Sequence, residues 1–316
     1  MHVLIIHADA AYLAGLLAKR FPEHQFTSAL HGALLPDTAF DAEVMVAMAR
    51  SLTADMMSRF TRLRWIQALT TGTDGFFAFE NLPHDVPITS ARGIHGPAVS
   101  EMVFMQMLAL SREFADVMQQ QRQHLWQKKR QLLLYGKTAV IVGTGLISSE
   151  LALKCKAFGM HTIGVSNTPR AIEGFDEVVP RSELVRAASR ADYLIALMQL
   201  DATTRDLINA QVIQAMRASA YFINISRGGV CDEAALLKAL TLGSIAGAAL
   251  DVFSIEPLPK DHPLWDGPNV IITPHLGGES DNYMAQVCPI IEHNLICMAE
   301  GRMKDMRNLV PHPDQQ

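Results

Sequence analysis

The chain has 316 residues, 49% of them hydrophobic and 19% charged, with a formal net charge of −5. That length predicts about two domains, and the composition excludes intrinsic disorder and a collagen-like fibre. A sequence pI near 6.2 without basic runs offers no general attraction to phosphate backbones or anionic lipid. Nucleic acid and membrane are therefore not expected as partners, and small diffusible ligands are.

The opening segment, Met1 to His7, lacks a basic region, and its apolar run from Val3 to Ile6 is too short for a signal peptide. It predicts a strand, followed by further strands at Ala42 to Ala47, Trp65 to Leu69 and Ile88 to Ala91. Gly93-Ile94-His95-Gly96-Pro97 interrupts this pattern before a helix opens at Ala98. The most apolar stretch of that helix, Met102 to Leu110, is half a membrane span at best, so neither export nor insertion is expected. A second set of strands is predicted at Thr138 to Val142, His161 to Val165, Tyr193 to Ala196, Tyr221 to Ile225, Ala246 to Leu250 and Val270 to Ile272. Apolar runs alternating with helix-length segments mark βαβ units around a buried parallel sheet. Six such strands match the count of a complete dinucleotide fold.

A second division near Gly277-Gly278-Glu279-Ser280 precedes a helix from Asn282 to Glu300 that returns to the first domain. The expected architecture is α/β, with a Rossmann dinucleotide-binding domain at 97–281 and a discontinuous second domain at 1–96 and 282–316. The polar tail, Pro311 to Gln316, is expected to fray. Cys155, Cys231, Cys288 and Cys297 show no CxxC or metal-finger spacing and are expected as isolated thiols in a reducing, cytoplasmic compartment. No HExxH motif or carboxylate cluster indicates a metal.

Between Lys137 and Glu150 the sequence reads Gly143-x-Gly145-x-x-Ser148, directly after an apolar strand and ahead of a helical stretch from Ser148 to Phe158. Gly143 suits the tight turn, and a side chain at Gly145 would keep a pyrophosphate from the helix N-terminus. Gly143, Gly145, Leu146 and Ile147 are the cofactor-binding candidates here, and Ser148 is small enough for close helix–strand packing. NAD-specific sites carry a carboxylate at the end of the next strand. This chain has Ser166-Asn167-Thr168-Pro169-Arg170 instead. Neutral Ser166 and Asn167 do not repel a 2′-phosphate, and Arg170 offers it a forked cation, so NADP(H) is favoured. The alternative is NAD(H), with Ser166 or Asn167 on a ribose hydroxyl and Arg170 solvated.

Arg227, Glu256 and His275 stand at the ends of successive strands, the edge where an open parallel sheet presents its ligand crevice. Hydride delivery to a carbonyl next to a dinucleotide site needs a cation to polarise the oxygen, for which the planar paired donors of the Arg227 guanidinium are suited. It also needs a proton donor titrating near neutrality, which His275 supplies. A carboxylate on the other ring nitrogen, Glu256, favours the protonated ring and fixes its orientation. Taken singly, each has a structural explanation: a helix-start arginine, a solvated carboxylate, a strand-capping histidine. Their joint order favours chemistry.

In these segments the chain resembles the D-isomer-specific 2-hydroxyacid dehydrogenases, and the likeness extends to Thr71-Gly72-Thr73-Asp74, Val99-Ser100-Glu101 and Arg307-Asn308-Leu309-Val310. The resemblance implies that the discontinuous domain is a flavodoxin-like substrate domain, with the active site in the cleft between it and the Rossmann domain. It further implies that Asp251 contacts the nicotinamide end and that the backbone N–H groups of Thr71 and Gly72 hold the substrate carboxylate, with Arg227 and His275. A homodimer is implied through the helix bearing Met102, Met105 and Met107 and the segment around Trp126. The expected activity is NADP(H)-preferring reduction of small 2-oxo acids such as glyoxylate or hydroxypyruvate. A dinucleotide-sensing regulator of the co-repressor type is the alternative. Formate dehydrogenase is disfavoured by the Glu256 and His275 pairing, because formate oxidation releases no hydroxyl proton. Gln199-Leu200-Asp201 departs from the Pro-Leu-Thr of many relatives. His95 is expected to be structural, Arg50 to lie on the surface, and His7 and His31 to lack a partner pattern.

Overall fold

The computed structural model describes residues 1–32, 35–83 and 85–312. The chain divides into two compact units, Met1–Ile94 with Ser280–Gln316, and His95–Glu279.

In the first unit, strands β1 (His2–Ile6), β2 (Gln25–Ala29), β3 (Val44–Ala47), β4 (Trp65–Ala68) and β5 (Ile88–Thr89) alternate with helices α1 (Ala10–Arg20), α2 (Ala54–Arg59) and α3 (Asp74–Phe77). Their spatial order, 2-1-3-4-5, is the flavodoxin-like arrangement. β1 and β3 are apolar runs, and β4 is buried throughout although it carries Gln67, because the sheet is covered on both faces; burying one Val, Leu or Ile side chain contributes about 1.5–3 kcal/mol. β2 has no such run: Gln25 to Ala29 lies at the sheet edge, half solvated, and periodicity alone does not reveal it.

The second unit begins with α4 (Gly96–Ser111), which opens two residues earlier than predicted, with Pro97 in its first turn, where a missing N–H costs nothing. α5 (Phe114–Arg122) follows. Then come β6 (Thr138–Val142), α6 (Leu146–Ala157), β7 (His161–Ser166), β8 (Glu177–Pro180), α7 (Leu184–Ala188), β9 (Tyr193–Ala196), α8 (Ala210–Ala215), β10 (Tyr221–Asn224), α9 (Glu233–Thr241), β11 (Gly247–Leu250) and β12 (Val270–Ile272). The strands pair in parallel in the order β8-β7-β6-β9-β10-β11-β12. The sheet thus has seven strands rather than the six predicted. The added strand, β8, is an edge strand ending in proline, which only an edge tolerates. The order reverses between β6 and β9, so the crevice at their carboxyl ends is the switch point where doubly wound sheets take ligands.

The chain ends back in the first unit with α10 (Tyr283–Ala299) and β13 (Leu309–Val310), which pairs antiparallel with β5. Asn308, with φ +58°, donates to the carbonyls of Ser90 and Arg92 and fixes that return. Of the tail expected to fray, residues 313–316 lie outside the described residues.

Candidate active site

At the switch point the glycine turn is held on one side and open on the other. Gly143 has φ +98°, and its N–H donates to the Val165 carbonyl at 2.9 Å. A Cβ there would fall 2.3 Å from the Leu197 carbonyl oxygen at the end of β9, so only glycine fits. Gly145 is different. Its backbone is extended, with φ −82° and ψ −171°, and an added Cβ would meet nothing within 4 Å. The protein itself leaves this position open, with room for a ligand to approach the first turn of α6.

That turn suits an anion. Leu146, Ile147 and Ser148 are its first residues, no acidic side chain stands in it, and helix N-terminal N–H groups lack intrahelical acceptors. Ser148 is buried beneath it, as small-residue packing demands. At the end of β7, the Ser166 hydroxyl accepts the Thr168 N–H at 3.3 Å, turning the chain so that Asn167 and Arg170 are exposed. The donor set and the open cradle fit a dinucleotide.

Arg227, Glu256 and His275 all belong to this second unit and follow β10, β11 and β12. Nδ1 of His275 lies 2.7 Å from Oε2 of Glu256, and Oε1 of the same carboxylate accepts the Phe253 N–H at 2.9 Å. Partial burial alone would raise the Glu256 pKa. The His275 ring, the Phe253 N–H and the Arg227 charge outweigh it and hold the carboxyl below its ordinary value, so Glu256 is an anion at neutral pH. An Arg227 guanidinium nitrogen donates to the Ser226 carbonyl at 2.7 Å. The turn that carries Arg227 is pressed against the Glu256 loop: a Cβ on Gly228 would lie 1.8 Å from the Phe253 carbonyl carbon.

His275 has φ +54°, a left-handed conformation that a non-glycine residue keeps only when its surroundings impose it. Asp251 imposes it. Only 1% exposed, its carboxylate accepts the Thr273 hydroxyl and the Leu276 N–H (2.9 Å) on one oxygen, and the Gly277 N–H (2.8 Å) on the other. Its carbonyl accepts the His275 N–H at 2.8 Å. A buried carboxylate paid back by three donors is a turn anchor, a role that sequence reasoning missed. The available signal is an aspartate ending a fully apolar strand, Gly247 to Leu250. Thr273, which also receives the Gln106 amide at 3.4 Å, was missed as well, and nothing local in the sequence marks it.

Thr71 and Gly72 lie beyond β4 in the first unit, partly exposed, with the Thr70 hydroxyl donating to the Gly72 carbonyl. His95 is buried at the start of α4, and Arg50 is exposed after β3. The departing loop Gln199-Leu200-Asp201 closes on itself: one Asp201 oxygen accepts the N–H groups of Thr203 (2.6 Å) and Thr204 (3.0 Å), while the Thr204 hydroxyl donates to the Gln199 carbonyl at 2.7 Å. Among the described residues, no group of His, Cys, Asp and Glu could hold a metal ion.

A two-domain α/β chain with this sheet order, glycine turn and histidine–carboxylate pair has well-described relatives. Residues 104–277 match the family model described as D-isomer specific 2-hydroxyacid dehydrogenase, NAD binding domain. The chain is 33% identical over 265 residues to a D-3-phosphoglycerate dehydrogenase of Bacillus subtilis, an alignment covering 83% of this chain and 50% of that one. It spans about half the length of the first such relatives. A D-isomer specific 2-hydroxyacid dehydrogenase family protein from Aeromonas salmonicida superposes with a TM-score of 0.90 at 31% identity, over 98% of each chain. An NADPH-dependent glyoxylate/hydroxypyruvate reductase from Sinorhizobium meliloti, solved with NADP and sulfate, does so with a TM-score of 0.83 at 28% identity, again over 98% of each chain. The chain belongs to the D-isomer-specific 2-hydroxyacid dehydrogenase family.

Proposed function

We propose that this protein is an oxidoreductase that reduces small 2-oxo acids, such as glyoxylate or hydroxypyruvate, to D-2-hydroxy acids with NADP(H). The observation that carries this reading is the 2.7 Å contact between His275 and Glu256 within reach of the Arg227 charge. A bound dinucleotide supplies the hydride. With Nδ1 turned to Glu256, Nε2 of His275 is left to deliver the proton to the developing alkoxide in reduction and to take it back in oxidation. Arg227 orients the substrate carboxylate and stabilises negative charge on the carbonyl oxygen. Thr71 and Gly72 are proposed as backbone donors to that carboxylate, and Asp251 as the group that keeps the His275 turn in place. Gly143, Gly145, Leu146 and Ile147 are proposed to hold the pyrophosphate.

NADP(H) is favoured over NAD(H) because 166–170 offers Ser166, Asn167 and the Arg170 cation without a carboxylate. The NADPH dependence in the name of the Sinorhizobium relative is in accord with this. A homodimer is supported by apolar side chains on one stretch of the second unit: Met105, Phe114, Leu125, Leu133 and Trp126, the last 92% exposed. Four buried free thiols support a cytoplasmic setting, and no described helix is long and apolar enough to cross a membrane.

The test is loss of reduced-nicotinamide absorbance with glyoxylate, hydroxypyruvate, pyruvate and phenylpyruvate, each with NADPH and NADH. His275→Ala should lower turnover by about 10²- to 10⁴-fold while cofactor binding persists. Cofactor binding without turnover of any 2-oxo acid would replace this reading with the dinucleotide-sensing regulator. A cofactor preference that Arg170→Ala leaves unchanged would remove Arg170 from the phosphate site.

A further inference from the structure

Glu256 sits on a tight loop, Val252 to Pro257, whose shape depends on two consecutive backbone donors. The Phe253 N–H goes to Glu256 itself at 2.9 Å, and the Ser254 N–H goes to Oε1 of Glu233 at 2.7 Å. Glu233 is the first residue of α9, whose cap is Asp232, accepting the Ala235 N–H at 2.9 Å. The Glu233 side chain is only 19% exposed, and its second oxygen lies 3.7 Å from Nε2 of His262. Nδ1 of His262 accepts the Leu264 N–H at 3.3 Å, which leaves the ring proton of the neutral imidazole on Nε2, facing Glu233. The Glu233 carboxylate therefore holds the Ser254 N–H directly and faces His262, both on the excursion between β11 and β12 that carries Glu256.

We propose that Glu233 is a positioning residue for the His275–Glu256 pair, acting by holding the Ser254 N–H. The inference rests on His275 being the proton donor. The Ser254 N–H is adjacent in the chain to the N–H that already engages Glu256. Deprived of Glu233, it competes for the same carboxylate and draws it from His275. The Gly228 turn also packs against this loop, since a Cβ there would fall 2.2 Å from the Ser254 nitrogen, so the loop has no room to relax toward Arg227. The charged groups facing Glu256 are His275 and Arg227. Beside Glu233 stand His262 and Asp232, with Asp206 acting on the same buried Cys231 thiol.

The full chain carrying Glu233→Ala or Glu233→Gln tests this, because glutamine keeps an oxygen for the Ser254 N–H and alanine does not. Glu233→Ala should lower kcat about tenfold, leave the cofactor KM within about twofold, and shift the alkaline limb of the kcat profile for reduction to lower pH. It should also lose the downfield imidazole N–H proton resonance of the His275–Glu256 hydrogen bond. Glu233→Gln should restore the resonance, the limb and most of kcat. Should the alanine variant not fold, Glu233→Asp withdraws the oxygen by one methylene while keeping the charge, and is expected to show the same shift and loss. A lowered melting temperature with limb and resonance in place would reduce Glu233 to a structural residue and overturn the proposal. So would a glutamine variant that loses the resonance. A wild type that binds NADPH but reduces nothing would instead remove the reading of His275, whereas the resonance test of Glu233 would still stand.

Discussion

Gly143 and Gly145 are two residues apart, yet the structure predicts that alanine at each will damage a different property. At Gly145 the backbone is extended and a Cβ meets no atom within 4 Å, so alanine adds no strain. As a helix N-cap, alanine is worse than glycine by about 0.5–1 kcal/mol. Restricting the unfolded chain returns about 0.4–1 kcal/mol, so the net change in stability should stay within about 0.5 kcal/mol. Dinucleotide binding should suffer instead. A methyl group over the first turn of α6 displaces the pyrophosphate from at least one charge-assisted N–H bond, about 1.5–3 kcal/mol, which weakens binding about 10- to 100-fold.

At Gly143, alanine would have to hold φ +98° and place its Cβ 2.3 Å from the Leu197 carbonyl oxygen, a backbone atom that cannot swing away. Strain of about 1–3 kcal/mol and overpacking of similar size give a loss of about 2–6 kcal/mol. In this unit that lowers Tm by about 4–24 °C. Thermal unfolding without cofactor and calorimetric titration with NADPH read the two properties separately. Wild-type affinity in Gly145→Ala would show that no pyrophosphate passes there, and a Gly145→Ala protein destabilised by more than about 2 kcal/mol would refute the geometric argument for that residue.

Three further outcomes follow from the same geometry. Asp251→Asn sets an amide against an N–H or hydroxyl donor in a buried turn; it should cost about 1–3 kcal/mol in chemical denaturation and lower kcat more than cofactor affinity. Asp176 is held at about 2, first by the Lys156 ammonium and then, against the opposing effect of burial, by the Thr162 N–H and hydroxyl. A carboxyl depressed by folding adds stability that is complete above its unfolded pKa near 4 and is lost as pH falls through about 2. Asp176→Asn should therefore be less stable by about 1 kcal/mol at pH 7, after allowing for solvent screening, and the gap should close on acid titration. Gly228→Ala cannot place its Cβ beside Phe253 without moving either the Arg227 turn or the Glu256 loop; kcat should fall about 10- to 100-fold, and full activity in a folded variant would contradict the contact.

Much of this architecture is legible in the linear sequence because its causes are local. An apolar run such as Val44 to Ala47 or Tyr193 to Ala196 has few ways to be buried other than as an inner strand, and the Gly143-x-Gly145 spacing reports a turn whose steric demands stay within a few residues. Arg227, Glu256 and His275 could be singled out because strand ends are where a parallel sheet offers side chains to a ligand. What tertiary structure alone decided is how residues far apart in sequence meet. The edge strands β2 and β8 exist because a neighbouring strand supplies hydrogen bonds, not because their own side chains demand burial. The left-handed conformation of His275 depends on the Asp251 carboxylate from the preceding strand's end, and the Ser254 N–H finds its acceptor on α9. A carboxylate's partners are set by the path of loops between strands, and no local periodicity encodes that path, because the free energy that selects it is shared among contacts closed only when the whole sheet has formed.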